Sequence, residues 1–410
     1  MTARILVLGA GFAGLWSAAG AARALDEFGI GKDQIQITVV NRDIWHAIRV
    51  RNYEADLREV RVPLDGVLDP IGVEWVAGEV VAIDLACRQV VCMIRGTRRL
   101  LNYDRLIFAL GSELVRPEIP GLADYAFDVD TFEGGARLNA HIASLPEQPA
   151  SAGQFTALVV GAGLTGIETA TELPGKLRTA MGRGARTAEV PRVILADHRP
   201  AIGSDMGQEA GHVIDEALTF LGIETRTGVS ISALDSSGAT LSTGERIAAA
   251  TIVWCTGMRA NPLTGVFPVK HDRFGRIPVD RFMKVEGIDG IFAAGDVANA
   301  VIDDRHVSVM SCQHARPMGR FAGHNAVCDL LSRPMLPLRI DWYVTCLDLG
   351  PWGAVYTEGW DRRVLATAAA AKRTKQIINC ERIYPPNSAG RRQILDAAAP
   401  VVQAPPPQFR

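Results

Sequence analysis

Two glycine-rich hexapeptides, each set between an apolar strand and a helix, constrain this chain more than any other feature. The first, Gly9-Ala10-Gly11-Phe12-Ala13-Gly14, follows the apolar run 4–8 and opens an alanine-rich stretch to about residue 25. The second, Gly161-Ala162-Gly163-Leu164-Thr165-Gly166, follows the run 157–160 and opens a helix over 167–173. Residues 36–40 and 193–196 read as the next strands, so each motif has its own strand–helix–strand context. A turn free of side chains lets backbone N–H groups approach a pyrophosphate at the positive end of a helix. One such match is weak, because a tight turn alone explains it. Two in full context point to two bound dinucleotides, and a protein with two ordinarily passes a hydride between them.

At 410 residues the chain exceeds one ordinary core, which predicts two or three domains. A formal net charge of -2 supplies no basic field for nucleic acid, so no such partner is expected. No apolar run reaches the roughly 18 residues that a spanning helix needs, and residues 5–8 lack a signal-peptide layout. Seven cysteines form no disulfide framework, and their odd number fits a reducing, cytoplasmic compartment. No metal is expected.

Further motifs lie between and beyond the hexapeptides. Residues 106–110 are a buried strand ending at Gly111, 252–257 a strand and crossover ending at Gly257, and 73–94 hairpin material. Residues 290–298, Gly-Ile-Phe-Ala-Ala-Gly-Asp-Val-Ala, form a strand that delivers Asp296 past Gly295. A flavin's ribityl hydroxyls need such an acceptor; an Asp capping the next helix is the plainer reading. Residues 311–319 open a helix, with Pro317 placing its start near Ala315–Arg316. The positive end of such a helix stabilises an anion placed against it; if the chain proves to hold a flavin, that anion would be the reduced ring at its N1/C2 carbonyl.

Together, the motifs at 9–14, 106–111, 161–168, 254–257 and 290–298 resemble the pyridine nucleotide-disulfide oxidoreductase fold, most closely its type II NADH dehydrogenase-like branch. The resemblance implies an α/β chain of two Rossmann-like dinucleotide-binding domains, the second inserted in the first, plus a C-terminal α+β region. It divides the chain into an FAD domain (1–120 and 262–332), an NAD(P)H domain (121–261) and a C-terminal domain with an extended tail (333–410). It implies that Gly9, Gly11, Phe12, Ala13, Gly14, Gly111, Gly295 and Asp296 hold FAD. Gly161, Gly163, Leu164, Thr165, Gly166 and Gly257 would hold the nicotinamide dinucleotide. Asp197, ending the second unit's second strand, favours NADH over NADPH, although Arg199 nearby is a guanidinium able to take a 2′-phosphate. In the first unit Asn41, followed by Arg42, replaces the expected acid. Glu168 would orient the nicotinamide carboxamide, its alternative being an exposed first-turn acid.

In the type II branch a Gln-x-Ala and a glutamine pair face the quinone. Here Gln313 and Ala315 match, with His314 between them, while Pro317 and Met318 stand in place of the pair. His314 is read foremost as a structural histidine, a proton relay being the alternative. No cysteine precedes Cys87 and none lies between Cys92 and Cys255, which excludes disulfide reductases and sulfide:quinone reductases. Cys312 and Cys346 are read as near the flavin. The aromatics Trp342, Tyr343, Trp352, Tyr356 and Trp360 indicate core or a homodimer interface. Arg362, Arg363, Lys372, Arg373 and Lys375 read as a solvated basic face, or one for docking to an acidic protein or anionic lipid, compatible with loose membrane association. The leading expectation is hydride transfer from NADH through FAD to a quinone-like small acceptor. A reductase of a small electron-carrier protein such as a ferredoxin, and a sensor that binds FAD and NADH without turnover, are the alternatives.

Overall fold

In the computed structural model, which describes residues 2–182, 190–387 and 390–408, the two hexapeptides sit at equivalent points of two parallel sheets. The first sheet runs, edge to edge, Ile291–Ala293, Arg105–Phe108, Ala3–Leu8, Ile35–Asn41 and Glu74–Ala77. The second runs Ala126–Phe127, Thr251–Trp254, Thr156–Val160, Arg192–Asp197 and Ile223–Thr227. Every neighbouring pair within them is parallel. Their central strands are almost wholly buried, as continuous apolar runs demand when both faces are covered.

The chain leaves the first sheet after Phe108, builds the second, and returns at Ile291 to pair with Arg105–Phe108. This is the inserted arrangement expected from the sequence. Each sheet carries a three-stranded antiparallel companion, Glu79–Asp84 with Gln89–Ile94 and Thr97–Asn102 in the first, and Ile231–Asp235 with Gly238–Leu241 and Arg246–Ala248 in the second. The stretch 73–94 is therefore not all hairpin. Glu74–Ala77 joins the parallel sheet, and Gly78, bonded through its N–H to Asn41, turns the chain into the antiparallel layer.

Helix Cys312–Leu330 starts earlier than the sequence predicts. Ser311 caps it, its hydroxyl accepting from the His314 N–H, which leaves Pro317 inside the helix instead of in its first turn. Proline there removes the bond to the Gln313 carbonyl four residues back, a cost of about 3 kcal/mol that packing must offset. The packing is visible. The helix lies against Phe12–Phe28 with the backbones in contact: a Cβ on Gly323 would stand 2.0 Å from the Ser17 carbonyl oxygen, and one on Gly319 2.2 Å from that of Ala13.

Beyond residue 333 the strands Val344–Asp348, Ala354–Glu358 and Arg363–Thr367 form an antiparallel sheet, followed by helix Ala368–Ile377. Arg391–Ala397 returns to the first helix through an Arg391–Asp26 ion pair at 2.7 Å. The aromatics are used within the chain: Trp360 stacks on His306 at 4.2 Å and on Tyr343 at 4.3 Å, and Tyr356 is fully buried. Among the described residues no helix is long and apolar enough to cross a membrane.

Candidate functional site

A cavity of about 570 Å³ opens where both sheets and helix Cys312–Leu330 meet. That is ample for a large organic ligand. Gly9, Gly11, Phe12 and Ala13 line it from the first hexapeptide, and Asn41, Arg42 and Asp43 from the end of the second strand. Gly111, Gly295, Asp296, Cys312 and Ala315 line it from the other side, and Thr165 from the second hexapeptide.

The glycines are there for two different reasons. A Cβ on Gly14 would lie 1.9 Å from the Gly9 carbonyl oxygen, so this position closes the turn onto the helix. A Cβ on Gly11 would meet nothing within 4 Å, so its bareness leaves room for a ligand. Gly11 begins helix Phe12–Phe28 without any side-chain cap, leaving first-turn N–H donors directed at the cavity. Gly166 and Gly163 repeat both roles: a Cβ on Gly166 would lie 1.7 Å from the Gly161 carbonyl oxygen, and one on Gly163 would meet nothing within 4 Å. Leu164 is exposed beside them. These uncapped donors, with the cradle a side chain would fill, fit a pyrophosphate at each helix.

Asn41 and Asp197 occupy matching places. The Ala10 N–H donates to Asn41 Oδ1 at 2.9 Å, and the Ala162 N–H donates to Asp197 Oδ2 at 2.6 Å. Asn41 spends its Nδ2 on the carbonyls of Asp43 and Trp45. The substitution at residue 41 thus preserves the brace on the glycine turn, while Arg42 and Asp43 are the polar groups beside the ligand space. Arg199 is paired with Asp205, and its N–H donates to Asp197 Oδ1 at 2.8 Å.

Asp296 accepts from Ser112 Oγ at 2.6 Å and lies 3.8 Å from Arg49 Nη1. Arg49 also bonds Ser112 and pairs with Asp130, whose other oxygen accepts from the Leu114 N–H. Asp296 therefore belongs to a half-buried polar chain reaching across to the second sheet's side of the cavity. Sequence reading missed Arg49, Ser112 and Asp130, since none stands in a glycine motif. His46 was missed too: its Nδ1 donates to the Ala10 carbonyl at 2.8 Å, and burial pushes the imidazole down to about 4.

Glu168 and the residues after Cys312 are placed otherwise. Glu168 is 7% exposed and does not line the cavity. It pairs with Lys375 Nζ at 2.6 Å and accepts from the Asp348 N–H at 3.1 Å, so the exposed first-turn reading is corrected. Burial pushes the Glu168 carboxyl up against the pull of Lys375. For Lys375 burial acts downward, but the neighbouring carboxylate outweighs it and holds the ammonium above its usual range. His314 Nδ1 accepts from the Val309 N–H at 2.9 Å, and burial lowers the ring to about 4, which makes it a neutral structural histidine. Gln313 faces a second, apolar groove, whose lining shares Cys312 with the main cavity. Pro317 lines that groove as well, whereas Met318 is buried in the core.

The basic run is corrected in the same way. Lys372 pairs with Asp348 at 2.6 Å, Arg362 bonds Thr345, and Lys375 is buried with Glu168. All seven cysteines are free thiols. Cys255 and Cys312 line the cavity, and burial raises both. Cys346 lies beneath Lys375, which donates to its carbonyl at 3.0 Å.

Residues 3–319 match the pyridine nucleotide-disulphide oxidoreductase family. The chain belongs to that family. A protein of Mycobacterium tuberculosis described as NADH dehydrogenase-like is 55% identical over 403 residues, 98% of this chain and 100% of its own length. A type II NADH:quinone oxidoreductase of Staphylococcus haemolyticus is 26% identical over 308 residues, covering 72% of this chain and 74% of its own. Among solved structures, the NDH2 of Plasmodium falciparum in complex with NADH superposes with a TM-score of 0.79 at 12% identity, over 97% of this chain and 98% of its own. The family binds FAD and NAD(P)H, and this chain is similar throughout its length to the NADH dehydrogenase-like relative.

Proposed function

We propose that this chain oxidises NADH through FAD held at the first hexapeptide and delivers the electrons to a quinone-like small acceptor in the groove behind Cys312. The observation that carries this reading is the shared wall: Cys312 borders both the 570 Å³ cavity and the apolar groove, so donor and acceptor spaces adjoin. Bound FAD supplies two-electron chemistry, taking hydride from NADH and giving it up to a quinone, which gains one further proton from the medium.

The chain's own residues hold and orient. First-turn N–H groups after Gly11 and Gly163 take the two pyrophosphates, and Asp296 and Arg42 or Asp43 take sugar hydroxyls. Asp197, with Arg199 occupied by Asp205, supports NADH over NADPH. The first turn of Cys312–Leu330 borders the cavity through Cys312 and Ala315, where its positive end would favour the reduced, anionic form of a bound flavin. Gln313, which lines the groove, is suited to contact the acceptor. Pro317, in place of a glutamine, gives the groove an apolar surface for a quinone ring. Internal pairing of Lys372 and Lys375 removes much of the motive for a protein carrier as acceptor.

Anaerobic stopped-flow mixing with NADH tests the entry, and a soluble quinone tests the exit. Prompt flavin bleaching followed by reoxidation with quinone is expected. Bleaching without quinone reoxidation would overturn the acceptor, and no bleaching would leave only a binding or sensing protein.

A further inference from the structure

Among the described residues, the groove behind Cys312 is lined by three arginines and no acid. Arg316 and Arg320 stand one turn apart on helix Cys312–Leu330, and Arg382 enters from the π-helical turn Ile378–Arg382. Arg316 is 7% exposed and Arg320 1%. Among the described residues none of the three has a carboxylate partner: Arg320 Nη1 reaches only the Val401 carbonyl at 3.5 Å, and Arg382 the Ala404 carbonyl. Arg316 Nε, Arg320 Nε and Arg320 Nη2 are buried without a hydrogen-bond acceptor. The face of Trp16 lies 4.3 Å from the Arg320 guanidinium and 5.4 Å from that of Arg316, which offsets part of their lost hydration.

Buried charges in folded proteins are paired, and buried donors are satisfied. Three like charges in one groove, two of them almost wholly buried, lack the counter-charge that this rule requires. Burial pushes Arg316 down to about 10 and Arg320 to about 9, yet both remain cationic at neutral pH. The rest of the lining is mostly apolar: Pro317, Trp342, Val344, Ile378 and Ile383 contribute, with Gln313 and Gln403 beside them, and the extended segment around Val402 and Pro406 borders it. The present opening, about 60 Å³, takes a carboxylate group.

We propose that this groove binds an anionic aromatic acceptor, its carboxylate held by Arg316, Arg320 and Arg382 and its ring against Trp342, Ile378 and Ile383. The inference rests on the acceptor position proposed above and narrows it to quinones bearing an acid group. The ring takes its place as the segment Val402–Pro406 gives way, with the redox-active edge toward Cys312.

The probe is 2-naphthoate, which cannot be reduced by the enzyme, with 2-naphthamide as its neutral match, titrated calorimetrically into the FAD-loaded full chain. Naphthoate should bind at least about tenfold more tightly than naphthamide, in competition with quinone. Arg382→Gln, at the half-exposed mouth, should weaken naphthoate by about tenfold or more and leave naphthamide unchanged. Arg316→Gln should do the same where it folds. Equal binding of the two probes, indifference of naphthoate to Arg382→Gln, or binding that does not compete with quinone would overturn the inference. Tight naphthoate binding to an enzyme that NADH does not bleach would instead count against the NADH–FAD reading alone.

Discussion

Ala10 is held at both ends of its peptide, its N–H by Asn41 and its carbonyl by His46. That arrangement links the glycine turn to pH. His46 and His314 both sit near 4 in the fold, against 6.5 for a free imidazole. The unfolded chain binds the extra protons between those values, so stability is lost as pH falls from 6.5 toward 4. Each can contribute at most about 3 kcal/mol, at roughly 1.4 kcal/mol per pH unit. Acid titration of the denaturant midpoint should show this loss, and His46→Asn should remove the His46 share, leaving that of His314, while retaining the bond to Ala10. A second residue-scale expectation concerns Asp296. Asp296→Ala removes the acceptor beside Ser112, and FAD retention should fall about tenfold or more, read as flavin per protein after gel filtration. Unchanged flavin content would remove Asp296 from the ribityl site.

Elements meet most closely where helices Phe12–Phe28 and Cys312–Leu330 touch through glycine. Gly323→Ala must drive a methyl into the Ser17 carbonyl, which should cost about 2–3 kcal/mol and loosen FAD by separating the two helix ends. Gly211 offers the control. It lies within helix Gly207–Phe220 with nothing near its absent side chain, so Gly211→Ala should stabilise by up to about 1 kcal/mol. Parallel urea titrations decide, and equal effects would sink the close-packing argument. The early helix start belongs to this scale as well. Proline rules predict a start near residue 315, but Ser311 caps the turn and the packing of Gly319 and Gly323 holds a helix that contains Pro317.

Across the whole molecule, Glu168 and Lys375 tie the second sheet's helix to the C-terminal region. Lys375→Met alone leaves a buried carboxylate without its partner and should cost about 3–5 kcal/mol. Glu168→Gln combined with Lys375→Met should recover most of that loss. A double-mutant cycle on unfolding free energy measures the coupling, and additive losses would show that the pair is incidental. Because Lys372 and Lys375 are consumed internally, reduction of a neutral quinone should vary little from low to moderate salt. A steep fall would point back to a charged protein partner.

Much of the parallel framework was legible in the chain. Apolar strands followed by bare turns and helices have local causes, and the steric demand at Gly14 and Gly166 is written in their immediate neighbours. The positions of Asp197 and Asp296 were legible for the same reason, since one ends a recognisable strand and the other follows one in a short turn. The polar chain through Arg49, Ser112 and Asp130 was not, because it joins residues far apart along the sequence, from Arg49 to Asp296. Nor was the fate of Lys375, which reads as surface charge until Glu168, 207 residues away, is brought beside it. Local sequence determined the two nucleotide-type turns, because their geometry depends on adjacent atoms. Only the tertiary structure decided which charges are buried, which are paired, and that three arginines share a groove without an acid, because burial and pairing are properties of the packed chain.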